Sequence, residues 1–342
     1  EWVKNRTGIK AAYQVHIDGL EEYKALMYST YLSVCREKGI CKNECYAGVD
    51  IGWKKTLISY FNGTKQGDVI EAYHSKMEYA GCDISLLRED VLSAQEFFSI
   101  YARMLSIFLN GSVIYKENTE YSKMLESFNQ YCKGVDTQHA AYYRGVFDLL
   151  AMTIEKELPN HSIDVYYNMP EFRKFIGMLT YNIYLLFLNV GCLLGKAGER
   201  TEVPEKMTVY LSGNGAKFFR WISNLRNVSL IDDSNCQNFF ILEMKNNILE
   251  IIKHGMTITA PDRVLPKEIC LVLSDKPKEQ LIKGYMFKER YDQEKTGEAS
   301  GENSIYSPKF KPKKVENTFE SEDQRNKFEC FLNELRKDIF EE

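Results

Sequence analysis

The residue types that phosphate chemistry needs gather at two glycine-bearing turns far apart in the sequence. The first is Gly48-Val49-Asp50-Ile51-Gly52, continued by Trp53-Lys54-Lys55-Thr56. A phosphate chain is best held by backbone N–H groups that converge where the chain turns tightly, and glycine permits that geometry. Asp50, at a strand end, could hold a water of a nucleotide-bound Mg²⁺, because this ion keeps most of its waters. Thr56 could donate its hydroxyl to a phosphate oxygen. Lys54 and Lys55 either pair with phosphates as point charges or, with Trp53, fill the pocket. Asp and Gly beside a strand also make ordinary hairpin turns. The motif therefore takes its weight from its place in a series that includes the second turn, Ser212-Gly213-Asn214-Gly215, set between a strand and a helix.

Other chemistry finds less support. The P-loop pattern G-x-x-x-x-G-K-[ST] does not occur in the sequence. Nine cysteines, an odd number, are scattered among apolar neighbours, which favours reduced thiols over a disulfide framework. Cys35, Cys41 and Cys45 come closest to a cluster, but no histidine follows at a zinc-finger distance. The five histidines, His16, His74, His139, His161 and His254, stand apart with no metal-hydrolase pairing.

The elements that must position these turns follow from periodicity. Leu20, Tyr23, Leu26, Met27, Tyr31 and Val34 predict a helix from about Leu20 to Arg36, stopped by Gly39. From Tyr46 an antiparallel meander is expected, with its second reversal at Asn62-Gly63 and Gly67. Helices are predicted over Val91–Leu109, Ser122–Tyr131, Gln138–Leu158 and Glu171–Leu194. The apolar run Met178–Gly195 within the last reads as a buried core helix rather than a membrane span. A strand at Met207–Leu211 leads through the second turn into a helix over Ala216–Asn224. A helix over Gln237–His254, a strand at Ile269–Leu273 and a helix reaching Met286, with Pro277 in its first turn, complete the ordered part. The stretch TGEASGENSIYSPKFKPKKVEN is too polar to bury a core and reads as a linker. The segment from Glu320 to Phe340 carries Phe328, Phe331, Leu332, Leu335 and Ile339 at helical spacing, an apolar face that needs a partner inside or outside this chain. The expected organisation is a discontinuous α/β subdomain over 1–90 and 200–290, a helical insertion over 91–199, a linker over 291–319 and a terminal helix over 320–342.

The order of landmarks resembles the second half of the actin-like ATPase fold, the superfamily of actin, sugar kinases and the seventy-kilodalton heat-shock chaperones. Asp50, Gly52 and Thr56 match the Asp, first Gly and a Thr of that family's second phosphate hairpin. Glu78-Tyr79-Ala80-Gly81-Cys82-Asp83 is similar to the small-residue turn after its third strand. LSGNGAKFF, Leu211 to Phe219, resembles the adenosine motif, whose glycines let backbone approach the nucleoside while a helix N-terminus faces the phosphates. KEQLIKGYM, Lys278 to Met286, resembles the closing helix, with Lys283-Gly284 at its usual Lys-Gly. The likeness spans about Leu20 to Met286.

It implies an α/β, ribonuclease H-like fold with an antiparallel meander, parallel strands and a helical insertion. It also implies ATP and Mg²⁺ as cofactors, held by Asp50, Gly52, Lys54, Lys55, Thr56, Gly81, Gly213, Asn214, Gly215, Ala216 and Lys217, with Asp50 reaching Mg²⁺ through water. Departures accompany the matches. Trp53, Lys54, Lys55 and Leu57 stand where the family has further glycine and threonine, and Ala216 replaces a serine. The family's first phosphate hairpin is not found, so the chain, opening at Glu1, reads as part of a longer protein whose other half is the expected partner. Nucleotide binding with weak or lost hydrolysis is the expectation, and a non-catalytic pseudo-ATPase scaffold is its alternative.

Composition bounds the partners. The chain has 44 basic and 48 acidic side chains, a formal net charge of -4, so no positive excess is available to neutralise a nucleic-acid backbone. No basic stretch followed by an apolar run and cleavage site precedes the first helix, and with the thiol pattern this points to the cytoplasm.

Overall fold

A computed structural model describes residues 19–35, 40–41, 43–66, 69–84, 170–197, 205–216, 239–274, 279–286, 309–315 and 319–340. The helices expected over Val91–Leu109, Ser122–Tyr131 and Gln138–Leu158, the helix after Ala216, and Lys217 lie outside the described residues. In chain order the elements are α1 (Gly19–Val34), β1 (Glu44–Ile51), β2 (Thr56–Gln66), β3 (Val69–Met77) and α2 (Gly81–Ile84). They continue with α3 (Pro170–Lys196), β4 (Lys206–Ser212), a single 3₁₀ turn at Asn214–Ala216, α4 (Phe239–Thr259), β5 (Glu268–Leu273), β6 (Lys309–Lys314) and α5 (Glu322–Phe340). Residues 280–286 are also helical.

The strands make one mixed six-stranded sheet of order β5-β4-β1-β2-β3-β6. β1 pairs antiparallel with β2 and parallel with β4, and β4 pairs parallel with β5. β3 is antiparallel to β2 and parallel to β6, so β2 alone runs against the rest. β1 is buried from Cys45 to Ile51, the pattern of a central strand covered on both faces. The chain is thus α/β, with its meander and its parallel strands in a single sheet.

Local differences from the expected meander have physical causes. β2 does not turn at Asn62-Gly63 but continues to Gln66, and these residues fall where the β2–β3 register shifts between Phe61 and Lys65. The glycine there serves an irregularity in the ladder rather than a reversal. Part of the stretch expected as a linker is strand: β6 pairs with β3 from Val69↔Lys309 to His74↔Lys314. Phe310 anchors it, with ring centroids 4.9 Å from Phe61 and 5.3 Å from Tyr28. Its lysines and Pro312 lower the local hydropathy, yet they suit an edge strand, which must not recruit further strands.

One face of the sheet is covered by α1, where Tyr23, Met27, Tyr31 and Cys35 pack with Tyr46, Phe61, Ile70 and Ala72. The helical residues 280–286 press on α1 from outside: a Cβ on Gly284 would collide with the carbonyl of Ala25. α3 and α4 pack with backbones in contact, since a Cβ on Gly191 would meet the Ile252 carbonyl and one on Gly255 the Leu188 carbonyl. Among the described residues Leu179–Lys196 is the one helical stretch long and apolar enough to cross a membrane, and 78% of it is buried inside the fold. That is the burial of a core helix.

α5 lies against this helix pair. Phe331 stacks on His254 of α4 at 3.9 Å, Phe328 is buried beside Phe319 at 5.0 Å, and Lys196 at the end of α3 pairs with Glu320 at 3.2 Å. Phe328 and Phe331 of the apolar face therefore find partners within this chain.

Candidate functional site

The two glycine turns meet at the C-terminal ends of β1 and β4. Asp50 and Ser212 stand opposite each other in the parallel register, and Ser212 Oγ donates a 2.9 Å hydrogen bond to Asp50 Oδ1. Asp50 is buried, and loss of solvation raises its pKa from 3.8 to about 6. The Ser212 hydrogen bond opposes that rise, the nearby Glu22 carboxylate adds to it and Lys55 works against it.

Beyond Ile51 the chain turns through Gly52–Lys55, closed by a hydrogen bond from Gly52 N to Lys55 O at 3.0 Å. Behind this loop the opening amides of α2 are engaged: Gly81 N donates to Gly52 O and Cys82 N to Trp53 O, both at 2.9 Å. Ala80 N donates to the Asp83 carboxylate at 2.7 Å, which fixes the start of that short helix. A Cβ on Gly81 would lie 3.0 Å from the Gly52 carbonyl. Gly81 is therefore a spacer that lets α2 close on the hairpin, and its amide is directed at the loop.

The second glycine turn is laid on Ile51. Gly213 has φ +83°, and a Cβ there would sit 2.5 Å from the Ile51 carbonyl oxygen, so both its conformation and its surroundings require glycine. A Cβ on Gly215 would collide with the Ile51 side chain. Gly215 and Ala216 are buried, Asn214 is exposed, and Ala216 N closes the turn on Gly213 O at 3.1 Å.

The side chains expected to face a ligand divide. Lys54 is exposed beside the loop. Lys55 forms an ion pair with Glu22 of α1. Thr56 is fully buried and its hydroxyl donates to the Tyr79 carbonyl at 2.7 Å, so the expected donation to a phosphate gives way to a bond that ties β2 to the segment before α2. Glu22 joins the site without a local sequence signal: it comes near Asp50 because α1 lies across β1, with Leu26 and Thr30 over Gly48, two residues before Asp50 on the same strand face.

Among the described residues no group of three or more His, Cys, Asp or Glu could hold a metal ion by itself. Asp50 fits the smaller part expected of it, because a nucleotide-bound Mg²⁺ draws most of its shell from phosphates and water. The described cysteines are free, and burial pushes the Cys35 and Cys192 thiols up to about 12, where they stay protonated. His74 stacks on Tyr23 at 3.6 Å and His254 on Phe331, both packing roles.

No family model, curated protein or solved structure matches this chain.

Proposed function

We propose that this chain is the second half of an actin-like nucleotide-binding fold and binds ATP with Mg²⁺ at the ends of β1 and β4. One observation carries the reading: two glycine turns linked by partners 162 residues apart, Asp50 and Ser212, lie against each other at Ile51. In open α/β sheets ligands bind at the carboxyl ends of the strands. Backbone brought this close by glycine suits a nucleotide, which needs flat access for its nucleoside and N–H groups for its phosphates. The strand order β3-β2-β1-β4-β5 with β2 alone reversed supports the ribonuclease H-like class within this reading. So does the contact of Gly284 with α1. When bound, the nucleotide's Mg²⁺ would supply charge neutralisation at the phosphates. Asp50, once ionised, would hold a water of its shell, and the Gly52–Lys55 loop would offer the phosphates its backbone. The reading includes the family's first phosphate hairpin, contributed by the other half of the same protein.

Binding without efficient hydrolysis is the version we favour. Lys55 is paired with Glu22 and Thr56 is bonded to Tyr79, so side chains that would stabilise charge on a transferring phosphoryl group are engaged elsewhere. Titration of the full-length protein with a fluorescent ATP, with and without Mg²⁺, tests the reading. Saturable, Mg²⁺-dependent binding is expected, weakened in Asp50→Ala and Gly213→Val. Absence of saturable binding would overturn the nucleotide reading, and unchanged binding in both variants would overturn the site.

A further inference from the structure

Behind the hairpin loop a chain of hydrogen bonds leads to one side chain of the long helix. The Gly52 and Trp53 carbonyls accept from the amides of Gly81 and Cys82, so the loop's shape depends on where residues 79–84 stand. That segment is held from α3. Asn182 Nδ2 donates to Ile84 O at 3.1 Å, and Asn182 Oδ1 accepts from the Tyr79 hydroxyl at 3.1 Å. The same Tyr79 receives the Thr56 hydroxyl on its carbonyl. Asn182 thus grips both ends of the segment, and it is buried in a helix whose neighbours Leu179, Ile183, Leu186 and Phe187 are apolar. Burying an amide is unfavourable unless its donor and acceptor both find partners.

We infer that Asn182 is a positioning residue: through Tyr79 and Ile84 it sets the α2 amides that hold the Gly52–Lys55 loop in shape. The inference rests on the nucleotide reading only for its effect on ligand affinity, since the local coupling is measurable without ligand. Truncating Asn182 leaves the buried Ile84 carbonyl without this donor and leaves the half-buried Tyr79 hydroxyl only the longer contact to the Asn182 backbone carbonyl at 3.4 Å. The local opening of residues 79–84 should then become roughly tenfold more frequent.

Hydrogen–deuterium exchange on the whole chain tests this with Asn182→Ala and Tyr79→Phe, the latter deleting one hydroxyl and serving if the former fails to fold. Without nucleotide, exchange of the Gly81 and Cys82 amides should rise roughly tenfold in Asn182→Ala and less in Tyr79→Phe, while β4 keeps the wild-type rate. A rise spread equally over β4 would mean general destabilisation and overturn the positioning role. Unchanged Gly81 and Cys82 exchange in the variants would overturn it too. MgATP affinity measured on the same samples should fall several-fold in Asn182→Ala. Local exchange changed with affinity unchanged would overturn the link from Asn182 to the site. Local exchange changed in a protein whose wild type binds no MgATP would support the positioning of the loop and overturn the nucleotide reading alone.

Discussion

Ser212, at the end of β4, donates a 2.9 Å hydrogen bond to the carboxylate of Asp50 at the end of β1. It is the polar contact that joins the two glycine turns, and it acts on a carboxyl group whose burial disfavours its charged form.

The pH dependence follows from that conflict. The folded-state pKa of Asp50, about 6, lies above the ordinary 3.8. Between those values the folded protein binds a proton that the unfolded chain does not, so stability from this group is present below the unfolded pKa and is lost as pH rises through about 6. Asp50→Asn keeps an oxygen for Ser212 and removes the charge. It should be more stable than wild type at neutral pH, by on the order of 1–3 kcal/mol, with the gain vanishing near pH 4 on the ordinary scale of a carboxyl group. Thermal melts across this range measure it. In the nucleotide reading MgATP should bind wild type more tightly as pH rises through the Asp50 pKa, whereas Asp50→Asn should show no such rise. A stability difference independent of pH would refute the assignment of the raised pKa to Asp50.

How much of this was legible in the sequence depends on the kind of signal each element carries. β1, β4 and β5 are short apolar runs ending in turns, and α1 has a clear stripe, so they could be read locally. Gly213 was legible because a Gly-Asn-Gly turn at a strand end marks a place where backbone approaches closely, which glycine alone permits. The fates of Thr56 and Gly81 were not, because both depend on where the Tyr79–Ile84 segment comes to rest, a consequence of packing against Asn182. Glu22 was hidden for the same reason: its role exists only once α1 lies across β1 with Leu26 over Gly48.

β6 was missed because averaged composition hides a single anchor. Residues 309–314 read KFKPKK, and only Phe310 has apolar area to bury. Phe310→Ala should therefore destabilise the fold by about 1–3 kcal/mol, less than for a fully buried ring because Phe310 remains partly exposed. Lys311→Glu, on the exposed side of the same strand, should change stability by no more than about 0.5 kcal/mol. Urea unfolding of the two variants distinguishes an anchored strand from a loosely tethered linker. Equal, negligible effects would mean that the β3–β6 pairing contributes nothing to the fold in solution.

The docking of α5 should weaken in acid. His254 stacks on Phe331, and burial lowers its pKa below the ordinary 6.5, while Glu334 of α5 pulls the other way. A depressed histidine pKa means that the unfolded or undocked state binds the proton more readily, so the contribution of this contact is present above the ordinary pKa and is lost as pH falls through the folded one. The stack also loses favour because a charged imidazole seeks water. Proteolytic cleavage within residues 322–340 should therefore be faster at about pH 5.5 than at pH 7.5, on either side of the ordinary histidine pKa. In His254→Phe, which keeps an aromatic face for Phe331 and cannot take up a proton, the cleavage rate should lose most of that difference. If the variant retained the full acid sensitivity, the stack of His254 on Phe331 would not be its source.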